Sequence, residues 1–161
     1  MKFKIENTQV YGYERAIKAS GNPMRTVINT SEVTEKDLSR AIKLGTTKQG
    51  AGHDNFLKGI LVQVDVTAPL YWWKEYDTYK VGTVANSCST MHKIHSKELT
   101  LDDFSCEHLE AHNIRLLEQI IDALNTERYN FNFGKQKSQW WQMIQLLPSS
   151  YNQKKNSNAK L

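Results

Sequence analysis

The side chains best suited to chemistry lie between His53 and His92. Thr83 to Thr90 packs five hydroxyl or amide side chains into eight residues: Thr83, Asn86, Ser87, Ser89 and Thr90. Such groups, with exposed backbone N–H donors, suit a nucleotide base or a phosphate, and they equally make a polar surface loop. His53-Asp54-Asn55 stands at the entrance to an apolar alternating run, where a polar trio either binds a ligand or turns the chain. Tyr71, Trp72, Trp73, Tyr76 and Tyr79 can stack on a flat ring, although about half of such a run is expected in the core. Cys88 and His92 are close in sequence, but a reactive thiolate needs a helix N-terminus or a cation beside it, and the sequence shows neither clearly. His108 and His112, spaced one helical turn apart, lack an evident third ligand. A solvated helix face is the favoured reading there, and no metal is expected.

These residues need elements to hold them. Lys2 to Ile5 alternates at period two and predicts a first strand. Tyr11 to Ser20 is a helix candidate, ended by Gly21-Asn22-Pro23. Thr34 caps a second helix, with Asp37 three residues on, and Gly45 ends it. Ile60 to Thr67 is the clearest strand, with Ile60, Val62, Val64 and Val66 on one face. Pro69 opens the aromatic helix, whose Trp72, Tyr76 and Tyr79 share a face. Residues 81–92 read as a loop with some extended backbone. A long helix is expected from Thr100 to about Leu124, a connector from Arg128 to Lys137, and a short helix from Trp140 to Leu147 stopped by Pro148. The polar residues 151–161 read as an exposed, mobile tail after a single domain at 1–150.

Bulk properties narrow the class. The 161 residues suffice for one domain, and 39% hydrophobic against 24% charged residues is ordinary for a folded chain. The net charge of +4 is spread along the sequence, which argues against nucleic-acid binding but leaves room for an anionic small molecule in a cleft. No apolar run is long enough to span a bilayer, and two cysteines are too few for a disulfide framework. Free thiols and a cytoplasmic location are expected.

The order of these features resembles the flavin-dependent thymidylate synthases, the ThyX family. That pattern is a His-Glu-(Thr/Ser)-Pro-Phe stretch, a strand ending in an Ala-Pro-like pair, a helix with Arg-Gln-x-x-Arg-His-Arg, then a Ser/Asn/Glu/Ser/Arg loop. His53, Phe56, Ala68-Pro69, Lys74-Glu75, Lys80, Thr83, Asn86 and Ser89 match it in kind and order. Leu147-Pro148 and the terminal Asn158 to Leu161 are similar to later family stretches. The match is strong over residues 53–92 and looser elsewhere, and the chain also resembles small phage-encoded relatives of the family. The resemblance implies an α/β (α+β) fold with a twisted, mostly antiparallel sheet flanked by helices. It implies a homo-oligomer, a tetramer by family habit, with sites between subunits. It further implies FAD near His53, Lys80 and Thr83, and a dUMP-like nucleotide near Asn86 and Ser89. Family members methylate dUMP with reduced FAD and methylenetetrahydrofolate, without a covalent protein nucleophile on the uracil, so no catalytic side chain is assigned.

The departures from that pattern fall on its charges. The Arg-His-Arg of the family reads Thr78-Tyr79-Lys80, Ala85 stands where its Asn is expected, Ser87 replaces its Glu, and Met91 replaces its phosphate-binding Arg. Replacing a bidentate guanidinium is not conservative. The leading expectation is therefore a divergent, phage-type ThyX-like protein with a degenerate nucleotide and flavin site. The alternatives are a working synthase that makes dTMP, and a non-catalytic protein that binds a nucleotide or a host protein.

Overall fold

The computed structural model describes residues 3–28, 31–48, 51–79 and 82–160. Among them, four strands form one sheet in the order β1-β2-β4-β3, antiparallel throughout. The strands are β1 (Lys4–Tyr11), β2 (Leu61–Pro69), β3 (Val84–Ser87) and β4 (Asn152–Lys160). The helices are α1 (Tyr13–Ala19), α2 (Glu35–Gly45), α3 (Leu70–Tyr79), α4 (Thr90–Lys93), α5 (Ala111–Gly134) and α6 (Lys137–Leu146). The chain divides into two compact units, one drawn from 1–6, 65–80 and 85–156, the other from 7–64, 81–84 and 157–161. The expected α/β class with an antiparallel sheet and helices is what is found.

In the first unit the core is built by α5 and α6. Leu117, Ile121 and Leu124 recur at helical spacing along α5 and are buried with Phe104, Ile94, Leu99 and Met143. Phe131 and Trp140 pack against this cluster. The long helix begins at Ala111 and not near Thr100. Thr100 instead forms a capping box with Asp103 over a 3-10 turn at Leu101–Asp103. The Asn125 side chain holds the chain before it in place: its Nδ2 donates to the Leu99 carbonyl at 2.8 Å, and the Leu99 N–H donates to its Oδ1 at 2.9 Å. The expected connector at 128–137 is mostly helix, because the apolar face continues to Phe131 and the helix closes on Lys135 in the left-handed region (φ 52°).

The largest correction concerns the C-terminal residues. The expected mobile tail is β4, lying between β2 and β3. Several of its polar side chains find partners on other elements, while Asn152 Nδ2 and Asn158 Oδ1 are buried without a hydrogen-bond partner among the described residues. Gln153 and Ser157 are buried, and the Lys155 Nζ sits 4.4 Å from the centre of the Trp73 ring. Trp73 Nε1 donates to the Gln153 carbonyl at 3.0 Å. The Cys88 N–H donates to the Lys154 carbonyl at 2.9 Å, extending the ladder past β3. Backbone pairing on both sides therefore orders a strand that hydrophobic patterning does not mark.

In the second unit, α2 starts with the expected capping box: the Asp37 N–H donates to Thr34 Oγ1 at 3.3 Å, and the Thr34 N–H donates to Asp37 Oδ2 at 3.2 Å. Asp37 is 2% exposed and also accepts from Arg40 at 2.6 Å and Arg25 at 3.2 Å. The Arg40 and Thr34 hydrogen bonds hold its carboxyl well below the usual carboxylate range. No helix among the described residues is long and apolar enough to cross a membrane.

Candidate functional site

A cleft of about 640 Å³ opens in the first unit. Three strands supply its floor: Lys4 from β1, Thr67 from β2, and Asn152 and Lys154 from β4. Ser89, Thr90 and Lys93, at and beside α4, form one wall. Lys97, Asp102 and Asp103 close another side. The volume falls within the ~300–1,000 Å³ usual for small-molecule sites.

Four lysines border this cleft, and carboxylates already hold three of them. Lys4 pairs with Glu6 at 2.7 Å. Lys154 pairs with Asp65 at 3.3 Å and Glu6 at 3.4 Å, an acid–base row across β1, β2 and β4. The Asp65 and Glu6 hydrogen bonds raise the Lys154 pKa, and the Lys4 hydrogen bond leads in lowering that of Glu6. Lys97 pairs with Asp103. Lys93 alone of the four has no ion-pair partner among the described residues. It is exposed, at the end of α4.

The wall also carries hydroxyl groups. Ser89 caps α4, its Oγ accepting from the His92 N–H at 3.1 Å. That arrangement leaves the Ser89 hydroxyl proton to donate elsewhere. Thr90, half-buried, has no hydrogen-bond partner for its hydroxyl among the described residues. The amide of Gln153 is committed to the Cys88 carbonyl, with Nε2 donating at 2.9 Å.

Of the residues singled out from the sequence, Cys88, Ser89 and Thr90 line this cleft. Asn86 is exposed on β3, two residues before Cys88, which lines the cleft. His53 lies in an exposed turn before the 3-10 helix Asn55–Gly59, and Thr83 is half-buried just ahead of β3. Both belong to the second unit. Lys80 lies outside the described residues. Lys4, Asn152 and Lys154 went unread because they sit on strands whose chemistry shows only when the sheet is assembled. Lys93 stands two residues after Met91 in the sequence.

Other expectations resolve simply. Trp72 stacks on Tyr76 with centroids 5.0 Å apart, and Trp73 is buried at 2% exposure. Cys88 and Cys106 are free thiols. His108 sits in a turn before α5 and His112 within it, so the two do not share a helix face. Among the described residues no group of three His, Cys, Asp or Glu side chains is placed to hold a metal ion.

No family model matches the sequence, and no curated protein sequence matches it. Solved structures do. The flavin-dependent thymidylate synthase ThyX of Helicobacter pylori, complexed with FAD and dUMP, superimposes with a TM-score of 0.66 at 12% identity. That match covers 99% of this chain and 79% of the other. The UMP/dUMP methylase PolB of Streptomyces cacaoi, bound with 5-Br dUMP, gives a TM-score of 0.61 at 10% identity over 99% and 73% of the two chains. This chain has the ThyX fold. Within α3 the Thr78 hydroxyl donates to the Lys74 carbonyl at 3.1 Å.

Proposed function

We propose that this chain is a divergent ThyX-fold protein that binds a pyrimidine nucleoside monophosphate such as dUMP in the cleft beside α4 and no longer carries out flavin-dependent methylation. The observation that carries the reading is the cleft itself. It is of nucleotide size and offers the hydroxyls of Ser89 and Thr90, with Lys93 as its lysine free of carboxylate partners among the described residues. The dUMP and 5-Br dUMP bound by proteins of this fold support the choice of nucleotide. On this reading Ser89 and Asn86 contact the nucleotide, and Lys93 supplies the charge that Met91 does not. His53, Lys80 and Thr83 would touch flavin only if the chain were a working synthase.

Calorimetric titration with dUMP separates these readings when it is paired with an assay of reduced-FAD oxidation. We expect dUMP to bind and to leave the oxidation of reduced FAD unchanged. Oxidation accelerated by dUMP, or FAD released from the purified protein on denaturation, would establish a working synthase instead. Absence of binding to both dUMP and UMP would remove the nucleotide reading and leave a protein partner as the ligand to seek.

A further inference from the structure

A different cleft, in the second unit, holds a buried lysine with no carboxylate partner among the described residues. Lys18 is only 9% exposed, yet its Nζ has a single contact among the described residues, to Ser31 Oγ at 3.5 Å. Lysine is almost never buried without a partner, because its ammonium loses hydration that a lone hydroxyl does not replace. At 3.5 Å that hydroxyl is a weak acceptor, and the ammonium has three protons to place. Arg15 lies one turn earlier on α1, is exposed, and has no carboxylate partner among the described residues. Both line a cleft of about 240 Å³ with Asn22, Ser31 and Glu14. This is too small for a whole nucleotide, since drug-sized pockets begin near 300 Å³. A tetrahedral oxyanion fits it better.

We propose that this cleft is a second anion site, in which Lys18 and Arg15 hold a phosphate group, free or as a phosphomonoester. The oxyanion supplies the countercharge and the acceptors that Lys18 lacks, and the Arg15 fork suits two of its oxygens. Glu14 limits the affinity from the cleft rim, so Glu14→Gln tightens binding. The site does not depend on the nucleotide reading of the cleft beside α4.

The test uses Lys93→Met as the parent protein, so that the cleft beside α4 does not contribute. Thermal unfolding and calorimetry follow inorganic phosphate, ribose 5-phosphate and chloride at matched ionic strength. Phosphate should raise the unfolding midpoint beyond chloride. Adding Lys18→Met should weaken phosphate binding by about tenfold or more, the loss of one charge-assisted hydrogen bond. Without phosphate, the Lys18→Met protein should be at least as stable as its parent, because methionine keeps the apolar stem and removes the buried charge. Lys18→Arg should retain the response, and Arg15→Ala, at an exposed position, should reduce it even if Lys18→Met fails to fold. Tighter binding of inorganic phosphate assigns a free ion, and tighter ribose 5-phosphate an esterified one. A phosphate response no larger than that of chloride, or one undiminished in both Lys18→Met and Arg15→Ala, overturns the proposal.

Discussion

His95 and Asp37 make the protein acid-sensitive in two separate pH windows. The Nδ1 of His95 is buried without a hydrogen-bond partner among the described residues, and its ring lies edge-on to Phe131 at 4.9 Å. Burial first, then Lys135 and Lys93, pushes its pKa below the ordinary histidine value. The folded state thus takes up the proton less readily than the unfolded chain. The stability linked to His95 is complete above about pH 6.5, the unfolded value, and is lost as pH falls through the lower folded value. The carboxyl of Asp37 is depressed by Arg40 and Thr34, so its contribution is complete above about pH 4 and is lost only at stronger acidity. An acid series of thermal unfolding midpoints reads both. His95→Phe should flatten the profile just below pH 6.5 and leave the fall below pH 4. Asp37→Asn should lower the midpoint at neutral pH, and its difference from the parent should shrink below pH 4. A His95→Phe profile that follows the parent through both windows would rule out the assignment to His95.

Among the elements, β4 carries the most weight relative to what its sequence announces. As a central strand it uses backbone donors on both edges, and proline removes one of them. Ser157→Pro, at a position 1% exposed, should abolish cooperative unfolding as followed by circular dichroism, whereas a mobile tail would tolerate it. The other elements show why this one escaped notice. The helix α2 was legible because Thr34 and Asp37 cap it locally, and β2 because Ile60 to Val66 alternates. Both signals are contained within a dozen residues. For β4 the determinants are remote: Trp73, Asp77, Glu6 and Asp65 give Lys154 and Lys155 their partners from other elements. The shift of α5 to Ala111 has a similar origin, since the Asn125 clamp on Leu99 couples residues 26 apart. The candidate site divides along the same line. Ser89 was read from its local cluster of hydroxyls, while Asn152 and Lys154 reach the cleft only through the sheet.

At the scale of the whole molecule, the fold is shared with a structure only 12% identical, and the cleft beside α4 has one lysine without a carboxylate partner among the described residues. The ligand chemistry should therefore rest on few cations. Because Lys93 is exposed, dUMP binding should weaken markedly from about 0.1 M to 1 M salt, as the screening length falls from about 10 Å to 3 Å. Salt-independent dUMP affinity in the same titration would remove Lys93 from the site. Phosphate held at the buried Lys18 should respond less steeply to salt. The sheet order has one more consequence, and it concerns time. Roughly 80 residues separate β2 from β4, and β3 joins the sheet only through β4. During synthesis β1 and β2 can pair early, but one edge of β2 stays open until residues 152–160 emerge. For about half of translation the nascent chain thus displays an unpaired strand edge, a template for pairing with neighbouring chains.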